Sequence, residues 1–147
     1  FVYLGNVGHA HALLDLHVQV GQRMSVSEGH RIAEAVRLCL LEQAPQLADV
    51  MVHIDPEEDT DGGPSNALPQ RTEMVGRLWQ RWTGLAGMGR IEGLTLHYLG
   101  GRVHLVVTLA PAPAGVDGPA EAEALRQAAQ EVADVGTVSV VERVAPR

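Results

Sequence analysis

His53 and Asp55 stand two residues apart in the run Val52-His53-Ile54-Asp55. In extended backbone such a pair projects from one face of a strand. One imidazole nitrogen and one carboxylate oxygen then lie close together, a donor pair suited to a borderline divalent ion such as zinc. His17 falls on the polar side of another alternating run. His30 falls in the first turn of the helix announced by Ser25 and Glu28. A sheet carrying one helix can bring His17, His30, His53 and Asp55 together, or share them across a dimer. A lone histidine on a polar strand face is usually only solvated. Four such donors at the sheet–helix edge of one unit argue for a metal site, although this spacing is a weaker signal than a paired CxxC motif.

The remaining reactive residues are expected to have other roles. His9 and His11 form a His-x-His pair that is either a chelate or an exposed loop feature. His97 and His104 have no carboxylate neighbour in their strands and read as structural or solvated. Cys39 lies among apolar helix positions and reads as a buried, inert thiol. Trp79 and Trp82 read as core or interface anchors. Glu57, Glu58, Asp59 and Asp61 can attract cations weakly, but the run lacks the closing glutamate of an EF-hand loop. There is no GxSxG, Walker loop, GxGxxG before a helix or HExxH. A hydrolytic metal site would need a nearby general base, and nothing identifies one. No enzyme is expected.

The elements that must position these residues follow from periodicity. Phe1–Leu4 and Ala12–Val20 read as strands joined by a hairpin through Gly5, Asn6 and Gly8. In the second strand Leu14, Leu16, Val18 and Val20 face one side, and Asp15, His17 and Gln19 the other. Ser25 with Glu28 is a capping box opening a helix through Ile32, Val36, Cys39, Leu40 and Gln43, which Pro45 stops. Val50–Asp55 reads as a third strand. An acidic Gly/Pro linker, 58–70, follows. The spacing then predicts a helix over Thr72–Thr83 with Val75, Leu78, Trp79 and Trp82 on its apolar side. Strands Gly93–Leu99 and Arg102–Ala110 turn through Gly100-Gly101. A helix at Ala120–Ala133 and a strand at Thr137–Val144 close the chain.

The expected class is therefore α/β of the α+β type. It has one ββαβ unit at 1–57 and a second, αββαβ, at 71–147, each with a small open sheet. Val2-Tyr3-Leu4-Gly5-Asn6 answers locally to His97-Tyr98-Leu99-Gly100-Gly101, which suggests an internal duplication. Units of this size fold poorly alone, so each is expected to pack on the other or on a second chain.

Composition narrows the partners. At 46% hydrophobic and 20% charged, the chain can bury a core, and with 3% aromatics that core must be aliphatic. The net charge of −7, with no Lys/Arg cluster, argues against a nucleic-acid partner. The single cysteine excludes an internal disulfide and fits a reducing compartment. No apolar run reaches the ~18 residues that span a bilayer. The start inside a strand suggests a fragment of a longer protein.

Three segments carry a family resemblance. They are Leu16-His17-Val18-Gln19-Val20, the helix opening Met24-Ser25-Val26-Ser27-Glu28-Gly29-His30-Arg31-Ile32-Ala33-Glu34, and Val52-His53-Ile54-Asp55-Pro56. Together they resemble the cytoplasmic C-terminal domain of cation diffusion facilitator transporters, over about residues 1–57. The resemblance implies a metallochaperone-like fold that homodimerises on the cytoplasmic side of the bacterial inner membrane, beneath the transmembrane domain of the same protein. It implies that divalent metal at the dimer interface draws the domains together and favours proton-coupled efflux. It places ligands at His17, His30, His53 and Asp55. Zinc is the first expectation, and iron, manganese, cobalt or nickel also suit such ligands. A further family histidine would align near Phe1 and is missing unless His9 or His11 substitutes. The second unit looks like an extension. Where its last strand ends, the positions answering to the ligands hold Val141 or Glu142. The competing expectation is a metal-independent dimerising or ACT-like ligand-binding module with solvated histidines.

Overall fold

The computed structural model describes residues 2–7, 11–56 and 67–144. The chain divides into two compact units, Phe1–Thr60 and Asp61–Arg147. Among the described residues no helix is long and apolar enough to cross a membrane. Both units are mixed α/β with open three-stranded sheets.

The first unit runs β1 (Val2–Val7), β2 (His11–Gln19), α1 (Val26–Gln43) and β3 (Leu47–Asp55). β1 pairs antiparallel with β2, and β2 pairs parallel with β3 after the α1 crossover. The expected hairpin through Gly5 and Asn6 is corrected. Both residues lie within β1, with Leu13 and Ala12 as their partners, because the ladder continues to the Val7–His11 pair. Ser25 caps α1 as the capping box predicts, its hydroxyl accepting the Glu28 N–H at 3.2 Å. The helix crosses closely over β3 at buried Gly29. A Cβ there would sit 3.3 Å from Cγ2 of Ile54. That approach assigns the Val52/Ile54 side of the sheet to the helix and leaves the opposite face open.

β3 begins three residues earlier than the alternation predicts. A register shift between Ala12 and Leu13 brings Leu47 opposite Ala12 and Asp49 opposite Leu13, which interrupts the period-two pattern at its start. Arg37 of α1 donates to Asp49 at 2.6 Å. Cys39 is exposed rather than buried, since the helix turns it away from the sheet, and Gln43 donates to its sulfur.

The second unit runs α2 (Arg71–Trp82), a 3₁₀ turn (Met88–Arg90), β4 (Ile91–Leu99), β5 (Arg102–Leu109), α3 (Gly118–Gln130) and β6 (Val135–Glu142). Gly100 and Gly101 both have positive φ, as a two-residue hairpin turn requires. β5 alternates strictly. Val103, Leu105, Val107 and Leu109 are buried beneath Leu125 and Ala129 of α3 and Met74, Leu78 and Trp82 of α2. The Trp82 indole N–H donates to the Leu125 carbonyl at 2.9 Å, which satisfies its polar atom inside the core. The expected apolar face of α2 shifts by one position. Met74 is buried and Trp79 is exposed, its ring set edge-on against Trp82. The acidic run Glu57–Asp61 lies outside the described residues.

The two units share one topology. Their sheet orders are β1-β2-β3 and β4-β5-β6, each with an antiparallel then a parallel pairing. Ala12 N–H donates to the Gln46 carbonyl and Val103 N–H to the Asp134 carbonyl, both at 2.9 Å, at the same point of each crossover. Leu14 pairs with Val50 as Leu105 pairs with Val138. The match of residues 2–6 with 97–101 is not structural. One segment is strand and the other ends in a hairpin turn. Topology and register relate the units instead.

Candidate metal centre

Parallel pairing places His17 directly opposite His53. Because α1 covers the Ile54 side, these imidazoles stand on the open face with Asp15 and Asp55. The rings stack with centroids 4.7 Å apart and planes inclined by 16°. Each then reaches diagonally across the strand pair. Nδ1 of His17 lies 2.7 Å from Oδ2 of Asp55, and Nε2 of His53 lies 2.9 Å from Oδ1 of Asp15. The result is a crossed arrangement of two imidazoles and two carboxylates built from Asp15-x-His17 and His53-x-Asp55.

Asp15 was not among the predicted ligands, although the alternation set it on the His17 face. The missing signal was the register. A one-residue slip between β2 and β3 would have turned one pair to the helix side. Ligand atoms of Asp15, His17 and His53 lie within 4.8 Å of one another. Oδ1 of Asp15 is buried and has no hydrogen-bond partner among the described residues, despite its closeness to His53. Two imidazole nitrogens and a carboxylate oxygen gathered this closely form a donor set of the kind that holds a divalent ion. By this test the residues present fit a divalent ion.

Of the four predicted ligands, the fold gathers His17, His53 and Asp55. His30 is exposed on α1 and lines a cavity of about 390 Å³ with Val20, Met24, Val52 and Ile54, on the helix side of the sheet. One chain does not bring it to the other three. His9 lies outside the described residues, and of His11 only its position at the start of β2 is described.

The second unit lacks this chemistry. By the shared register Val106 stands for Asp15, Thr108 for His17, Val141 for His53 and Arg143 for Asp55. His104 has a structural role there. Its Nδ1 accepts the Thr137 N–H at 3.1 Å and lies 2.8 Å from the Thr137 hydroxyl. The ring fills the space above Gly136, where a Cβ would come within 2.7 Å of it.

An open ββαβ sheet with paired His/Asp motifs on its uncovered face defines a small domain with a metal-type donor set in its first unit. Residues 8–57, spanning β2, α1 and β3, match the family model for the cytoplasmic domain of cation efflux proteins. The match lies within the first unit and ends before the second. Compared with curated proteins, the chain finds no match.

Proposed function

We propose that the chain is the regulatory metal-binding and dimerisation region of a proton-coupled divalent-cation efflux transporter. It has no catalytic activity of its own in this reading, and it works from the cytoplasmic side of the bacterial inner membrane, attached to the transmembrane domain of the same protein. The observation that carries the reading is the crossed His17/Asp55 and His53/Asp15 cluster on the open face of a cation-efflux-type unit. His17 and His53 would hold the ion, zinc first, with carboxylate support. His30 would come from a second copy, because within one chain it stands on the other side of the sheet.

Burial supports the dimer. Val50 is the buried apolar residue of the first unit among the described residues, whereas the rest of the buried core belongs to the second. A unit of this size gains from packing on a second surface. The carboxylates and the net charge of −7 oppose close approach of two such faces until a cation neutralises them. Zinc titration calorimetry on the full chain tests the reading. Saturable binding, lost in the His17→Ala/His53→Ala double variant, is expected. No binding by the unaltered chain would leave a metal-independent dimerising or ligand-binding module.

A further inference from the structure

We propose that the open face of the second unit's sheet is the surface over which two copies of this chain stay joined without metal. Strict alternation in β5 sets Val103, Leu105, Val107 and Leu109 beneath the helices, so His104, Val106 and Thr108 stand on the opposite side. Register extends that side into rows across the sheet. Thr95 and Ser139 flank Val106, Gly93 and Val141 flank Thr108, and His97 pairs with His104. Among the described residues these rows hold no carboxylate, lysine or arginine. Arg102 stands at the hairpin end, and the Glu92–Arg143 ion pair, at 3.2 Å, lies at the other. The charges of this unit gather instead on the helices and their junctions, where Arg77 meets Glu73 and Asp134, and Arg90 meets Glu121.

That segregation bears on self-association. With a net charge of −7, two copies repel one another over most of their surface. A face without charge lets them meet, and depletion of charged residues marks the buried centre of protein interfaces. A neutral face can also serve as its own complement across a twofold axis, because nothing on it opposes its copy. Burial there is cheap for the polar groups already paired, since Nδ1 of His104 accepts the Thr137 N–H and lies against its hydroxyl. Val106, Thr108, Thr95 and Val141 are β-branched and present the pleated surface on which a second sheet stacks. Val141 is 49% exposed in the single chain. The first unit's open face differs, because Asp15 and Asp55 stand on it beside the histidines. On the metal-binding reading that joint closes only with a cation. The neutral joint needs none and does not rest on that reading. It keeps two copies paired while the acidic joint answers to metal.

Sedimentation equilibrium of the full chain in EDTA tests this. The unaltered chain should be a dimer. Thr95→Glu and Val141→Glu each place a charge at an exposed position of an edge strand. Each should raise the dimer dissociation constant by roughly tenfold or more, since like charges facing one another across an interface oppose it. Gln80→Glu puts the same charge on the exposed side of α2 and should leave the dimer intact. Circular dichroism checks the fold of each variant, and Ser139→Glu, in the Thr95 row, replaces one that does not fold. The His17→Ala/His53→Ala variant should lose zinc binding and still be a dimer in EDTA, which separates this joint from the metal site. A monomeric unaltered chain overturns the proposal. So do folded Thr95→Glu and Val141→Glu variants that keep the dimer, or a His17→Ala/His53→Ala variant that loses it.

Discussion

Histidines of one type occupy two different chemical settings in this chain, and their surroundings set them apart. His53 stacks on His17 and faces a carboxylate, whereas His104 is bonded to the backbone and hydroxyl of Thr137. His53→Ala should therefore reduce zinc affinity at least tenfold and leave thermal stability of the metal-free chain nearly unchanged. His104→Ala should do the reverse, leaving affinity intact and lowering the unfolding midpoint, since it opens a space above Gly136 and frees the Thr137 N–H. Calorimetry and thermal melts of both variants check this, and equal affinity losses would remove the distinction. At this scale the sequence put His53 and Asp55 on one strand face, because period two is a local rule, but each meets a partner from β2 rather than the other. It concealed the contact of Asp15 with His53, which depends on a pairing between strands separated by a helix. It also misplaced Cys39, whose helical spacing resembled that of the buried face.

Elements were most legible where one local interaction decides them. The Ser25/Glu28 cap and the Gly100-Gly101 turn are of this kind, and both stand where the residues place them. Elements were least legible where a register shift breaks the alternation, as at the start of β3. Gly5 and Asn6 misled for a related reason. Turn-forming residues are tolerated in a strand when the ladder on either side continues. A contact invisible to periodicity ties the elements of the second unit together. Arg90, only 12% exposed, donates to the Ala110 carbonyl and to Glu121 and Glu142, joining the 3₁₀ turn, α3 and β6. Arg126 pairs with Glu123 along one exposed helix face. Arg90→Met should therefore lower the urea midpoint clearly more than Arg126→Met does.

Acid should act through the same Arg90 junction. The Glu142 carboxyl is held below its usual range, first by the Ala112 N–H and then by Arg90. A carboxyl depressed in the folded state stabilises it above the unfolded pKa, and that contribution is lost as pH falls through the folded value. The urea midpoint should thus drop below the ordinary glutamate range, and Glu142→Gln should flatten that drop. An unchanged acid profile in the variant would assign the pH sensitivity elsewhere.

Over the whole molecule, two units of one topology differ in core and in surface chemistry. The first presents a His/Asp face, with Val50 buried among its described residues, and the second presents a dense core with Thr108, Val141 and Arg143 at the positions of His17, His53 and Asp55. The duplicated element order was legible because helix and strand periods survive sequence drift. The residue-by-residue equivalence was not, since short matches ignore hairpin position. Ion binding to the folded state alone adds stability by mass action, about 2.7 kcal/mol at a hundredfold excess over the dissociation constant. The proposed function asks for more than that. It requires neutralisation of the first unit's open face to bring two copies closer, and a small-angle scattering comparison of the full chain with and without zinc measures this directly. The expected result is a dimer whose radius of gyration falls on zinc addition while its mass is unchanged, with no such fall in the His17→Ala/His53→Ala variant. A zinc-bound chain with the same radius of gyration as the metal-free form would contradict it.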